Sequence, residues 1–319
     1  MKRLAMALLM LAATTASAAE RKENWSERLP VTEGDRVVVD VESIDVFLRT
    51  GDVRDVEVTT ELRIAGVNQE KADAWIEKHT PEIERSDDGV VVRARPGRSG
   101  GFALWLLTAR SRVGLITPAS TVPDITTTSG RILIHGDFPD ADPLMIRSST
   151  GDMELVGAAS GVDVRSSSGS ARIQVVRPLD TLFARTSSGN VTLEGGARSV
   201  HVDTTSGDVW MTNLSGPAEA VTTTGGITLR WDRLDADAEV SVKTSSGRIQ
   251  IVLPEHVSPK GLLKTTTGTI RSDLPGTVSE AGDAVELAGD GPRLTVETDS
   301  GEIILSRVEG WAARMEPVQ

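Results

Sequence analysis

The 319-residue chain carries a formal charge of −12, which disfavours nucleic acid and anionic lipid as partners. It has no cysteine, which excludes a disulfide scaffold, thiolate metal sites, a cysteine nucleophile and a lipid-modified N-terminal cysteine. Six Trp, four Phe and no Tyr are too few for the aromatic girdles of an outer-membrane barrel.

Residues 1–19 read as a signal peptide. Lys2 and Arg3 form its charged start, Leu4 to Ala13 its apolar core, and Ala16-Ser17-Ala18-Ala19 a small-residue region cut after Ala19. The apolar stretch is too short to span a bilayer, and no later segment supplies an integral membrane span. The mature chain is therefore expected to be exported, to the periplasm or the cell surface.

Residues 20–110 read as an N-terminal β-rich cap, or as irregular first coils. VTEGDRVVVDVESIDVFLRT, VEVTTELRI and GVVVRARPG are alternating strands. A helix interrupts them at about 68–79, capped by Asn68, with Ala72, Trp75, Ile76 and His79 on one face, and ended by Pro81. Gly97-Arg98-Ser99-Gly100-Gly101 matches the nucleophile-elbow pattern, but a basic glycine-rich loop before an all-β region lacks the strand–turn–helix context that motif needs. Phe102–Leu107 (FALWLL) is open to two readings: a buried strand closing the stack, or an exposed patch docking a partner or membrane surface.

Between residues 111 and 308 one phrase recurs nine times, as in ITTTSGRILI, VRSSSGSARI and VKTSSGRIQI. Its glycines are Gly130, Gly151, Gly169, Gly189, Gly207, Gly225, Gly247, Gly268 and Gly301, separated by 21, 18, 20, 18, 18, 22, 21 and 33 residues. A period near 20 is the signature of a solenoid, in which each repeat completes its core only by stacking on its neighbours. The second and fourth residues after the glycine, such as Ile132 and Ile134 or Val191 and Leu193, are apolar and share one face of a short strand. The fifth residue before the glycine is again apolar in most copies. Each repeat should thus hold two short strands joined by a Ser/Thr-Gly bend. The fold class is all-β: a β-solenoid, single-stranded and β-helix-like, of about nine short coils, with an N-terminal β cap carrying one short α-helix.

Glycine is expected at the bend for a left-handed backbone angle, and Ser/Thr for hydroxyls that bond local backbone and stack between coils. Such hydroxyls recur on every turn, whereas a nucleophile occurs once, so their role reads as structural. The Gly225 copy reads as one residue short. The insert SEAGDAVELAGDGPR reads as a loop between the last two coils, and residues 309–319 as a tail.

No catalytic residue and no cofactor emerge from this pattern. The weak metal candidates are Asp137, Asp140 and Asp142 in one acidic loop and Asp232, Asp235 and Asp237 in another, carboxylates that could hold Ca²⁺ but lack the spacing of a calcium loop. The histidines at 79, 135, 201 and 256 share no ligand spacing. A polysaccharide-active β-helix enzyme would need clustered acids on adjacent coils; the position after each glycine reads Arg131, Asp152, Ser170, Asn190, Asp208, Gly226, Arg248, Thr269 and Glu302, with no such cluster. Trp210 and Trp231 are candidates for outward sugar platforms.

The signal peptide, the strand-rich lead-in with one helix, the step VGLITPAS at Val113, the serial TSSG repeats and the closing LTVETDSGEIIL together resemble the bacterial putative-adhesin family over roughly residues 30–308. That resemblance implies an envelope-exposed β-solenoid of unknown function and brings no catalytic residues. The expected function is an exported, non-catalytic binding or scaffold module whose partner is an envelope protein or glycan of unknown identity. The alternatives are the polysaccharide-active enzyme and a calcium-stabilised surface module.

Overall fold

A computed structural model describes residues 20–95, 108–138 and 142–308. The Gly97–Gly101 pattern, Phe102–Leu107, Asp140, the signal peptide and the tail from residue 309 lie outside the described residues.

The chain opens with β1 (Arg21–Pro30), β2 (Arg36–Val41), β3 (Asp45–Thr50) and β4 (Asp55–Ala65), followed by α1 (Gln69–His79), β5 (Glu82–Ser86), β6 (Gly89–Ala94) and β7 (Thr108–Thr117). The repeats then contribute one strand before each bend and one after it: β8 (Val122–Thr127) and β9 (Ile132–Phe138), β10 (Leu144–Ser148) and β11 (Met153–Ala159), β12 (Gly161–Ser166) and β13 (Ala171–Val175). The pattern continues with β14 (Thr181–Thr186) and β15 (Val191–Glu194), β16 (Val200–Thr204) and β17 (Val209–Leu214), β18 (Ala218–Thr224) and β19 (Ile227–Trp231), and β20 (Glu239–Ser246) and β21 (Ile249–Leu253). The last elements are β22 (Lys260–Thr265), β23 (Thr269–Ser272), β24 (Gly276–Val278), β25 (Ala284–Ala288), β26 (Arg293–Ser300) and β27 (Glu302–Arg307).

Odd and even repeat strands separate into two long sheets, called here the first and the second. The first has the order β1-β4-β7-β3-β9-β11-β13-β15-β17-β19-β21-β27-β23. The second runs β24-β25-β22-β26-β20-β18-β16-β14-β12-β10-β8-β2-β6-β5. Neighbouring coils join in parallel with no register shift, so equivalent residues stack: Met153 lies beside Ile132 and Ala171, and Ile146 beside Ile125 and Val164. One departure is a bulge between Met211 and Leu214. The inward columns form one continuous core, and Ile132, Leu155, Ile173, Val191, Val209 and Ile249 among them are at most 1% exposed. At ~4.8 Å per coil the eleven coils among the described residues give a rod on the order of 50 Å long.

Coil order departs from chain order at both ends. Strands β2 and β3, which carry no motif glycine, form a coil directly beneath β8 and β9, and β6 and β7 stack outside it. At the other end β26 and β27 slot between β20/β21 and β22/β23, so the last repeat in sequence is the penultimate coil in space. The 33-residue gap before Gly301 is therefore not a side loop between consecutive coils. Its strands β24 and β25 form an antiparallel hairpin on the edge of β22, covering the end of the second sheet. At the opposite end β4 and β1 cover the first sheet, and β5 covers the second.

The helix packs against β4 in a satellite cluster of Leu62, Ile64, Ala72 and Ile76, flanked by Trp25 and Trp75. Its N-cap is Asn68, whose Oδ1 accepts the Lys71 amide at 3.0 Å. His79 stacks on Trp75 with ring centroids 4.1 Å apart.

The bends correct the reason given for glycine. Of the nine motif glycines only Gly225 has a positive φ, at 158°, close to extended backbone. At the others the constraint is space. A Cβ on Gly151 would strike the carbonyl oxygen of Gly130, and the same collision recurs from Gly169 to Gly151, Gly189 to Gly169 and Gly301 to Gly247. Stacked bends thus touch backbone to backbone. Ile44 holds this position in the β2/β3 coil, and its carbonyl oxygen is the atom a Cβ on Gly130 would meet.

In five of the nine bends the hydroxyl three residues before the glycine turns inward and accepts the glycine N–H, as at 2.8 Å from Ser148 to Gly151, 2.7 Å from Ser166 to Gly169 and 3.0 Å from Thr186 to Gly189. Register also shows that the Gly225 copy is complete. Ala220 stacks between Val202 and Val242 in the inward column, so Val221 faces out.

Candidate functional site

With the core filled and the bends packed on one another, chemistry can reside only on the outer faces. Several side chains directly after the bend are engaged structurally. Asp45 accepts the Arg131 amide at 2.9 Å, Asp152 the Ser170 amide at 3.0 Å, Asn190 the Asp208 amide at 2.9 Å, and Asp208 the Gly226 amide at 2.7 Å. Each side chain staples its coil to the next. Further along, Glu302 sits between Arg248 at 3.1 Å and Arg271 at 3.2 Å.

The acidic candidates do not converge. Asp137 and Asp142 are exposed, and the Asp137 amide donates to Thr50 Oγ1 at 3.2 Å. Asp232 accepts from Asn213 at 2.8 Å and lies 4.0 Å from Arg230; Asp235 lies 3.6 Å from Arg233; Asp237 is exposed. Among the described residues no group of three or more His, Asp or Glu side chains is placed to hold a metal ion. The two tryptophans part company. Trp210 is outward and 36% exposed, but Trp231 is fully buried and donates its indole N–H to the Gly216 carbonyl at 2.8 Å. Trp231 follows the register break in β17 and fills a corner of the core, so it is no sugar platform.

Partial burial on the helix face lowers the His79 pKa below the ordinary histidine value, against the Trp75 carbonyl, which raises it.

The second sheet carries the most differentiated outer face, and no sequence motif marked it. Register brings Met145, Asp163, Phe183, His201 and Glu219 into one line across five adjacent coils. Phe183 and His201 stack at 4.9 Å with their planes 10° apart, and His201 Nδ1 lies 2.9 Å from Glu219. The Arg165 and Arg185 guanidinium carbons lie 5.6 and 5.7 Å from the Phe183 centroid. These arginines sit in a parallel line with Arg147, each balanced by an acid: Arg147 by Asp124 at 2.8 Å, Arg165 by Asp163 at 3.0 Å and Arg185 by Asp203 at 3.3 Å. The hydrogen bonds that Arg165 donates to Asp163 raise its pKa above the ordinary arginine value.

Two hollows flank this ridge. One, of about 430 Å³, is lined by Arg36, Val122, Asp142, Pro143, Met145, Val162, Asp163, Thr181 and Phe183. The other, of about 380 Å³, is lined by His201, Glu219, Glu239, Ser241, Arg293 and Thr295 together with Ser199, Val200, Pro217, Ala218 and Val240. Both are open and polar-rimmed. Among the described residues no helix is long and apolar enough to cross a membrane.

The model of the Toastrack DUF4097 family matches residues 138–306, more than half of the chain. The chain belongs to the Toastrack family. The match runs from the end of β9 into β27 and so takes in eight of the nine motif coils, leaving the out-of-order N-terminal coils before it. Three solved structures are similar at low identity. A putative adhesin from Parabacteroides distasonis is 15% identical over 89% of this chain and 97% of that one, with a TM-score of 0.47. A putative lipid binding protein from the same species is 13% identical over 90% and 96%, TM-score 0.48. A putative adhesin from Bacteroides fragilis is 12% identical over 90% and 97%, TM-score 0.38. Comparison with curated proteins finds no match.

Proposed function

We propose that this Toastrack chain is an exported, non-catalytic binding module that presents a stiff rod to a protein or glycan of the cell envelope. The observation that carries this reading is the use made of the repeated polar chemistry. The hydroxyls before the glycines fix each bend and the carboxylates and amide after them hold one coil to the next, so what varies from coil to coil is the outer surface. A face of fixed spacing and varied side chains is suited to recognition.

An enzyme would need a proton held on one acid of a pair, which in glycosidases depends on burial. Glu219 and Glu239 do stand on adjacent coils of one hollow, yet both are solvent-exposed, and Glu219 is engaged by His201. The calcium reading has no comparable support, since Asp232 and Asp235 already face arginines.

Two measurements test the proposal. N-terminal sequencing of the chain from fractionated cells should give Glu20 as first residue, outside the cytoplasm; a cytoplasmic chain beginning at Met1 overturns export. The purified chain should sediment with envelope preparations of the producing bacterium, saturably and without changing them chemically. No saturable association overturns the binding role.

A further inference from the structure

We propose that the C-terminal segment 309–319 folds back over the outer face of the first sheet and docks on a small apolar patch that Val252 and Ile304 form beside Ser306. This is independent of what the rod binds.

The patch stands out against the regularity of the repeat. The third and fifth residues after each motif glycine point outward along the first sheet, as Glu154 and Val156, Thr192 and Glu194, or Thr228 and Arg230 do. Among the eighteen such positions in the nine repeats, three are buried: Val252 at 0%, Ile304 at 9% and Ser306 at 1% exposure. The three are contiguous. Val252 pairs with Ser306 across β21 and β27, and Ile304 precedes Ser306 by two residues on the same face. Val252 and Ile304 belong to neither the core of the rod nor the satellite cluster under the helix.

Sheet neighbours do not account for this burial. Ile304 stands between Gln250 and Arg271, yet Gln250, itself between Thr228 and Ile304, stays half-buried. The Ser306 hydroxyl is buried and has no hydrogen-bond partner among the described residues. A buried hydroxyl on an outward face calls for a covering segment that brings it a polar partner.

Connectivity names the occupant. Ser306 stands two residues before Val308, where the backbone has already left the strand for helical geometry. The residues that follow, EGWAARMEPVQ, place Trp311, Ala312 and Met315 three, four and seven positions after Val308, which is one face of a helix. Ala313 falls on the other side, and Pro317 ends the pattern. As a helix, residues 309–316 would span about 12 Å. Val252 lies one coil from β27 and Arg230 two, roughly 5 and 10 Å away, so the segment reaches the whole patch. A helix this short is marginal in water on its own, and a docked apolar face is what stabilises it.

Other occupants fit less well. Three side chains are far short of the ~800 Å² per partner of a stable interface, which disfavours a second copy. A strand added to the free edge of β23 would leave Val252 and Ile304 uncovered, because they lie on the sheet face of the coils behind it. The C-terminal end of this face is thus closed by the chain itself, and loss of the last eleven residues opens an apolar patch.

The chain has no cysteine, so a single introduced thiol reports one position. In the folded full chain Met315→Cys should react with a maleimide roughly tenfold or more slowly than Ala313→Cys on the opposite side of the segment. Val252→Asp, which places a charge in the patch, should bring the two rates together. A chain ending at Val308 should bind a hydrophobic dye that the full chain does not. Melting curves check that each variant folds; should Val252→Asp not fold, Ile304→Glu takes its place. The proposal is overturned if the two thiols react equally fast in the chain with its patch intact, or if protection at 315 survives Val252→Asp, which places the segment elsewhere. It is also overturned if protection falls on dilution as a dimer dissociates, which gives the patch to a second copy. None of these measurements reads ligand binding, so their failure leaves the binding-module reading untouched.

Discussion

A Cβ added to Gly189 would press on the Gly169 carbonyl oxygen, and one on Gly207 on that of Gly189, although neither glycine has a backbone angle closed to other residues. Gly189→Ala should therefore destabilise the rod by about 1–3 kcal/mol through overpacking, even though alanine tolerates the backbone conformation. Thr186→Ala removes the hydroxyl that accepts the Gly189 amide in a buried setting and should cost about 1 kcal/mol. Ser188, exposed at the tip of the same bend, should be replaceable by alanine within about 0.5 kcal/mol. Thermal melts of the three variants give the order; equal effects of Gly189→Ala and Ser188→Ala would mean that the bends do not pack on one another. At the other end of the molecule, His79 gives the helix a pH dependence. Its folded pKa lies below the unfolded value of about 6.5, so the unfolded chain binds the proton more readily. The stability it contributes is complete above that value and falls as the pH drops through it toward the folded pKa. Trp75 fluorescence should report weaker docking of the helix at pH 5 than at pH 7.5, and His79→Gln should flatten the difference.

Among the elements, those the sequence reveals best are those whose burial follows period two on either side of a glycine, and β8 to β21 are of this kind. The β2/β3 coil escapes the motif because Ile44 stands where glycine would be and Val41 where Ser or Thr would be, so the same bend is written in apolar residues. The coil inversion at the C-terminal end is invisible for another reason. Every coil offers its neighbours much the same columns, so the repeat records that coils stack but not which one lies next. The Phe183 ridge was equally hidden, since its members lie 18 to 20 residues apart and meet only once the register is fixed. The signal it leaves in the sequence is a column of outward residues at the coil period, of the same kind as the column after the glycines. The inversion makes a prediction about truncation. A chain ending at residue 292 loses the inner coil β26/β27 and leaves β22, β23 and their hairpin without a neighbour; a chain ending at 258 loses all of them and leaves a plain rod end. The shorter chain should melt at the same or a higher temperature, and residues 260–292 of the longer chain should be cut by protease. Protection of that segment would mean that β22/β23 can dock directly on β20/β21.

For the molecule as a whole, the consequence of two inverted ends is that the rod cannot fray one coil at a time. In an ordinary solenoid the last coil in sequence is also the last in space, and it opens at the cost of a single interface. Here the first and last coils in sequence, β2/β3 and β26/β27, are each held between two coils, the spatially terminal coils β6/β7 and β22/β23 are tethered at both of their own ends, and the leading strand β1 lies at the outer edge of the first sheet, paired to β4. Antiparallel strands then cover three of the four sheet ends, leaving the four-residue β23 as the exposed edge of the first sheet. Releasing β27 requires breaking its ladders to both β21 and β23, and releasing β3 those to both β7 and β9. Exchange measured by mass spectrometry should therefore show amides of β3 and β27 protected to nearly the extent of those in the central β15, with β23 and α1 exchanging first. Protection that declined smoothly from the centre to the two termini of the sequence would mean that the chain ends are not clasped, and that the coil order in solution follows the order of the repeats.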